Sequence, residues 1–171
     1  ACLEKLHLCA LKYPGMRGLI VRKTRRSITQ SAMVTFERKV LHPLEKVRFH
    51  TTQQAYLYPN GSELVVGGLD KASKVMSMEY DMAYVQEAIE LTEDDWESIT
   101  TRLRYGVMPY QQLIADTNPD RANHWLNLRG RNGKTTVLES RHEDNPTLWD
   151  KERNAWTKEG EAYIGKLEAL T

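Results

Sequence analysis

Ser77-Met-Glu-Tyr-Asp-Met-Ala-Tyr-Val-Gln-Glu-Ala88 decides the fold. Met82 to Val85 is a short apolar run that ends abruptly in Gln86 and Glu87, with a polar, helix-like segment beyond. Such a run, bounded by polar residues, predicts a strand buried on both faces, as in a parallel sheet covered by helices. Open α/β sheets bind their ligands outside the carboxyl ends of their strands, where Glu87 falls. In nucleotide hydrolases a carboxylate in that position holds a metal or orients the attacking water. A surface glutamate just past a core strand is the other reading, and this stretch alone leaves both open.

Working outward, similar signals recur. Gly18 to Arg22 is a second short apolar run, preceded by Ala1 to Tyr13, where Leu3, Leu6, Ala10 and Leu11 share one helical face. Pro14-Gly15 ends that helix. Helix, tight turn and buried strand make half of a βαβ unit whose first strand is missing. Ser27 to Leu44 reads as one helix, with Met33, Phe36, Val40 and Leu44 on its core face and Pro43 near its end. Val47-Arg48-Phe49 reads as a short strand. Tyr56 to Val66 reads as a hairpin turning at Asn60-Gly61, because Asn-Gly accepts the positive φ of a tight turn. Gly67-Gly68 predicts a sharp exit and Asp70 to Lys74 a helical turn.

Thr92 predicts a helix cap, with Glu93, Asp94 and Asp95 suiting the positive helix end and Trp96, Ile99 and Leu103 forming the apolar stripe. Gln111 to Asp116 is a further strand, ending in Thr117-Asn118-Pro119. His124 to Leu128 predicts a helix, Lys134 to Ser140 a strand, Arg141 to Pro146 a polar loop, and Trp149 to Leu170 a helix broken near Gly160. The expected fold class is α/β: a mainly parallel sheet flanked by helices, with one inserted β-hairpin.

The chain has 171 residues, enough for one domain with a real core. Its charge is near balance but unevenly spread: residues 1–50 carry 11 Lys/Arg against 3 Asp/Glu, and residues 51–100 carry 2 against 10. A basic first third suits a polyanion, either nucleotide phosphates or nucleic acid, or is simply a solvated face. Arg22-Lys23-Thr24-Arg25-Arg26 concentrates that charge at a strand end. Cys2 and Cys9, seven apart in a helical pattern, are expected to pack rather than bridge. No apolar run approaches a membrane span and no secretory signal is visible. Gly133-Lys134-Thr135 lacks the upstream glycine and the following helix of a phosphate-binding loop. No helical zinc pair, Gly-x-Ser-x-Gly elbow or dinucleotide fingerprint is present.

Taken together, several segments resemble the ATPase domain of the large terminase subunit of tailed bacteriophages. They are Gly18 to Thr24 with Ser31; Gly68-Leu-Asp70-Lys71, Ser77 and Tyr80-Asp81; Tyr84 to Ala88; Glu90-Leu91-Thr92; Arg102-Leu103-Arg104; Thr117-Asn118-Pro119; and Asp144 to Leu148. The resemblance covers nearly the whole chain. It implies a P-loop NTPase-like core in which Glu87 polarises the attacking water, the Walker B position beside it holds magnesium, and Thr117 and Asn118 sense the γ-phosphate. It implies ATP and magnesium as cofactors. It also implies a homo-oligomeric ring on the portal, working with a small subunit on double-stranded DNA in the host cytoplasm, docked on the procapsid. A cation at the transition state would come from Arg22, Arg25, Arg26, Lys74, Arg102 or Arg104.

Two departures stand against this pattern. The phosphate loop is absent, so residues 1–171 are expected to be a partial ATPase domain, truncated at both ends and without the nuclease domain. Gln86 stands where the family usually has Asp or Glu, so it would hold magnesium only through a water, and weakly. The rival expectations are another motor ATPase of the same class, or a non-catalytic module binding nucleic acid or the capsid.

Overall fold

The computed structural model describes residues 1–118 and 121–169, and of Lys74 only the backbone. The chain forms two compact units, residues 1–129 and 130–171.

The first unit is built on a six-stranded sheet. Its strands are β1 (Arg17–Arg22), β2 (Arg48–His50), β3 (Ala55–Leu57), β4 (Glu63–Gly68), β5 (Met82–Val85) and β6 (Gln112–Ala115), in the order β2-β3-β4-β1-β5-β6. The four strands from β4 to β6 run parallel, and β2 and β3 are the antiparallel insertion. Every residue of β5 is buried, as the apolar run predicts. Alternate side chains serve two cores. Ile20, Met82 and Tyr84 pack with Leu3, Leu6 and Ala10 of α1 (Cys2–Lys12). Leu19, Val21, Ala83 and Val85 pack with Trp96 and Ile99 of α5 (Glu93–Thr100). Between these helices come α2 (Arg25–Gln30), α3 (Ala32–Thr35) and α4 (Ala72–Met76). Thr92 caps α5 as expected: its hydroxyl accepts from Asp95 N at 3.2 Å, and the Asp95 carboxylate accepts from Thr92 N at 2.9 Å.

The expected turn forms at Asn60-Gly61, where Gly61 has φ +83°. The Asn60 amide also donates to Ala10 O at 2.8 Å, tying the turn to the last carbonyls of α1.

Four expectations are corrected. Ser27 to Leu44 is not one helix: it breaks at Ser31 (φ −124°, ψ −77°) into α2 and α3, followed by a π-helical turn Phe36–Val40. The run is rich in hydroxyls that compete for helix carbonyls, Thr29 bonding Arg25 O and Ser31 bonding Ser27 O. Pro43 holds His42 extended, so Leu44 lies outside the helix and is 82% exposed. Gly67 and Gly68 continue β4 instead of turning. A Cβ at Gly67 would stand 2.2 Å from Val75, and one at Gly68 2.2 Å from Arg25 N, so close packing requires them.

The other two corrections fall in the second unit. Lys134 to Ser140 is irregular, with Leu138 88% exposed; among the described residues it pairs with no strand. Trp149 onward is a hairpin, β7 (Trp149–Asp150) with β8 (Ala155–Trp156), then α7 (Lys158–Glu168). Asn154 at φ 50° makes the turn, and Trp149 and Trp156 meet edge to face at 4.8 Å. Gly160 does not break α7. It sits in its first turn, donating to Thr157 Oγ1 at 3.0 Å, and a Cβ there would lie 2.0 Å from Leu148 O. The helix expected at His124 is α6 (Trp125–Arg131).

Candidate functional site

Parallel pairing aligns the carboxyl ends of β1, β5 and β6, which brings Gln86-Glu87 beside Asp116-Thr117-Asn118. Gln86 N donates to Val21 O at 2.8 Å, extending the ladder by one residue. Glu87 then leaves it in the left-handed region (φ 52°, ψ 58°), a conformation that costs a non-glycine residue about 1–2 kcal/mol. Three hydrogen bonds to Asp116 hold it there, two between main-chain groups and one to the carboxylate. Asp116 N donates to Val85 O at 3.2 Å, Glu87 N to Asp116 Oδ1 at 3.2 Å, and Ala88 N to Asp116 O at 2.9 Å. Strain maintained by neighbours in this way is characteristic of functional sites.

Asp116 is the hub. Its Oδ1 also accepts from the Tyr84 hydroxyl at 3.0 Å. Burial first, then the Asp116 charge, pushes the Tyr84 hydroxyl well above its ordinary range, so it stays a donor. The first turn of α1 lies close by. Burial, then Asp116, raises the Cys2 thiol. The N-terminal turn of this 11-residue helix therefore lies near the Asp116 carboxylate.

Gln86 is fixed from the other side. Ser31 Oγ lies 2.8 Å from the Gln86 amide and 2.6 Å from Ser27 O. The hydroxyl's single proton is shared between two acceptors, Ser27 O and the Gln86 amide oxygen. The amide oxygen of Gln86 thus accepts from Ser31 and keeps its second lone pair open.

Three of the six candidate cations, Arg22, Arg25 and Arg104, are already engaged. Arg22 chelates Glu90 through Nε at 2.9 Å and Nη2 at 2.5 Å. That hydrogen-bonded pair raises the guanidinium further and holds the Glu90 carboxyl below its usual range. Lys23 pairs with Asp95 at 2.7 Å. Arg25 donates through Nε to Gln54 at 3.1 Å, and its burial lowers its proton affinity. Arg26 is exposed and has no partner among the described residues. Arg102 and Arg104 flank the amino end of β5, where Tyr80 N donates to Arg102 O and Arg104 pairs with Glu79 at 2.8 Å; Glu87 stands at the other end. Lys74's side chain and Pro119 lie outside the described residues. Thr117 and Asn118 are exposed, and Thr117 Oγ1 donates to Asn118 O at 3.2 Å.

Sequence reasoning passes over Asp116, Tyr84 and Cys2 as site residues. The rule that picks out Glu87, a carboxylate ending an apolar strand, applies equally to Asp116. Among the described residues, no group of three or more His, Cys, Asp and Glu side chains could hold a metal, so no resident cage exists there. Two carboxylates, one of them beside a helix N-terminus, do fit a magnesium ion that arrives on a nucleotide, since magnesium takes one or two carboxylates plus phosphates and waters.

Comparison with known proteins agrees with the fold. The large terminase of a thermophilic bacteriophage (crystal form 2) superposes with a TM-score of 0.66 at 11% identity, over 91% of this chain and 44% of that one. The complex of that terminase with ADP (crystal form 3) gives 0.57 at 12% identity, over 78% and 34%. Its complex with ATP-gamma-S gives 0.53 at 13%, over 78% and 33%. The chain thus spans less than half the length of these solved terminases. No curated protein matches the sequence. The sequence profile of the phage terminase large subunit matches residues 4–162, and with that the chain is placed in the phage terminase large subunit family.

Proposed function

We propose that this chain carries the hydrolytic half of a nucleotide site in an ATP-driven motor that packages double-stranded DNA. One observation carries the reading: Glu87, held in a strained conformation by Asp116, stands with Asp116 at the strand ends near the N-terminus of α1. The thermophilic phage terminase, which shares the fold, was solved with ADP and with ATP-gamma-S.

In this reading Glu87 orients the water that attacks the γ-phosphate and takes its proton. The amide oxygen of Gln86, which accepts from Ser31 through one lone pair, would take a hydrogen bond from the metal's hydration shell through the other. Thr117 and Asn118, one step along from Asp116, contact the γ-phosphate and report its loss. When bound with the nucleotide, magnesium supplies charge neutralisation on the β- and γ-phosphates. Arg26, exposed on α2 and without a partner among the described residues, is the candidate cation for a partner subunit's nucleotide.

A phosphate cradle must come from sequence outside these residues. β1 already has β4 and β5 as neighbours. A parallel strand leading into α1 would therefore add at the edge of β6, where Leu113 and Ile114 are only half-buried. We expect the 171-residue chain alone to turn over no ATP. Portal, small subunit and ring assembly follow as proposals from the family, as does docking on the procapsid in the host cytoplasm. Among the described residues no helix is long and apolar enough to cross a membrane.

Gln86 in place of a carboxylate favours the second reading, a non-catalytic module binding nucleic acid or the capsid. The purified intact protein separates the two. Magnesium-dependent ATP turnover coupled to DNA movement is the expected result; DNA binding without any turnover would establish the module instead.

A further inference from the structure

The nucleotide reading leaves a deficit of charge. Gln86 is a neutral amide, and a neutral amide does not offset a divalent cation. The register shows where a charge lies instead. Tyr84 pairs with Ile114, and the bonds Asp116 N to Val85 O and Ala88 N to Asp116 O continue that register by two residues. Asp116 is therefore the neighbour of Gln86 across the ladder, about 4.8 Å away at the main chain. Period-two alternation puts both on the face of the sheet that carries Tyr84 and α1.

The two oxygens of Asp116 are used differently. Oδ1 accepts from the Tyr84 hydroxyl and from Glu87 N, which fixes the carboxylate plane. Oδ2 has no partner among the described residues, and the residue is exposed. The carboxylate is thus anchored by one oxygen and open at the other. Gln86 is itself held by Ser31, whose hydroxyl donates to its amide oxygen at 2.8 Å and leaves that oxygen one open lone pair. One strand presents a neutral acceptor and the next an anion.

We propose that Asp116, one strand over from Gln86, supplies the negative charge that retains magnesium with the nucleotide in this chain. The inference rests on the nucleotide reading above. Charge and acceptor, which the family pattern combines at one position, are divided here between Asp116 and Gln86.

Mn²⁺ binding to the intact protein saturated with ATP-gamma-S, followed by electron paramagnetic resonance, tests this without turnover. Asp116→Asn keeps an oxygen for Tyr84 and Glu87 but removes the charge. It should weaken Mn²⁺ binding at least about tenfold, while ATP-gamma-S binding without metal is retained or strengthened, because a negative charge beside the phosphates has gone. The double variant Gln86→Asp/Asp116→Asn, which moves the charge back one strand, should recover most of the loss. In the wild-type protein labelled with ¹³C at aspartate carboxyls, Mn²⁺ should broaden the Asp116 signal, a readout that needs no variant to fold. Wild-type Mn²⁺ affinity in Asp116→Asn, or an unbroadened Asp116 signal, overturns the inference while leaving the nucleotide reading standing. Failure of the wild-type protein to bind ATP-gamma-S at all removes both.

Discussion

The two ends of β5 put carboxylates to opposite uses. At the amino end Asp81 is fully buried and accepts three main-chain N–H groups: Arg17 N at 3.1 Å, Val107 N at 2.8 Å and Met108 N at 3.0 Å. They come from β1 and from the segment before β6, so Asp81 pins both neighbours of β5. At the carboxyl end Glu87 and Asp116 are partly exposed, and Oδ2 of Asp116 is open. What a carboxylate can do thus depends on how many of its lone pairs the protein has already taken. One with both oxygens occupied holds the fold; one anchored by a single oxygen can receive a ligand.

This contrast fails if Asp81 can be removed cheaply. Asp81→Ala strands three N–H groups, two of them beside the buried Met108, and should cost about 3–5 kcal/mol of stability by chemical denaturation. A loss under about 1 kcal/mol would show that water replaces the carboxylate. Glu87→Gly probes the other end in the opposite sense. Relieving the left-handed backbone should stabilise the protein by up to about 1 kcal/mol while abolishing ATP turnover. Destabilisation would mean that the left-handed backbone stores no strain.

Arg22→Ala, at the carboxyl end of β1, has the smallest expected effect. The Arg22–Glu90 pair is only partly shielded, so its loss should cost less than about 1 kcal/mol at about pH 7. Arg22 depresses the folded-state Glu90 carboxyl, so the pair's contribution is present above the unfolded carboxyl's pKa of about 4.3 and fades as pH falls through the lower folded value. Denaturation curves of wild type and variant should therefore converge once pH falls below the depressed folded-state value of Glu90. A gap that persists there would assign the effect to packing of the arginine stem.

Much of the sheet was legible because its signals are local. The apolar runs of β1 and β5, the Asn60-Gly61 turn and the Thr92 cap each follow from residues a few positions apart. The Ser31 break was hidden because apolar spacing registers the core face and not the competition of Ser27, Thr29 and Ser31 for carbonyls. The hairpin at Trp149 was hidden because two paired tryptophans also suit a helix face. For the site, Glu87 and Thr117-Asn118 stood out from strand-end position and family resemblance. Asp116 did not, because its partnership with Gln86 exists only once β5 and β6 are in register across about 30 residues of sequence.

Whether Glu87 does the chemistry at these strand ends is read out by steady-state ATP turnover of the intact protein, wild type against Glu87→Gln. The kcat should fall by about 10²–10⁴-fold, with ATP affinity and folding stability unchanged. A Glu87→Gln protein that hydrolyses ATP at the wild-type rate would contradict that role.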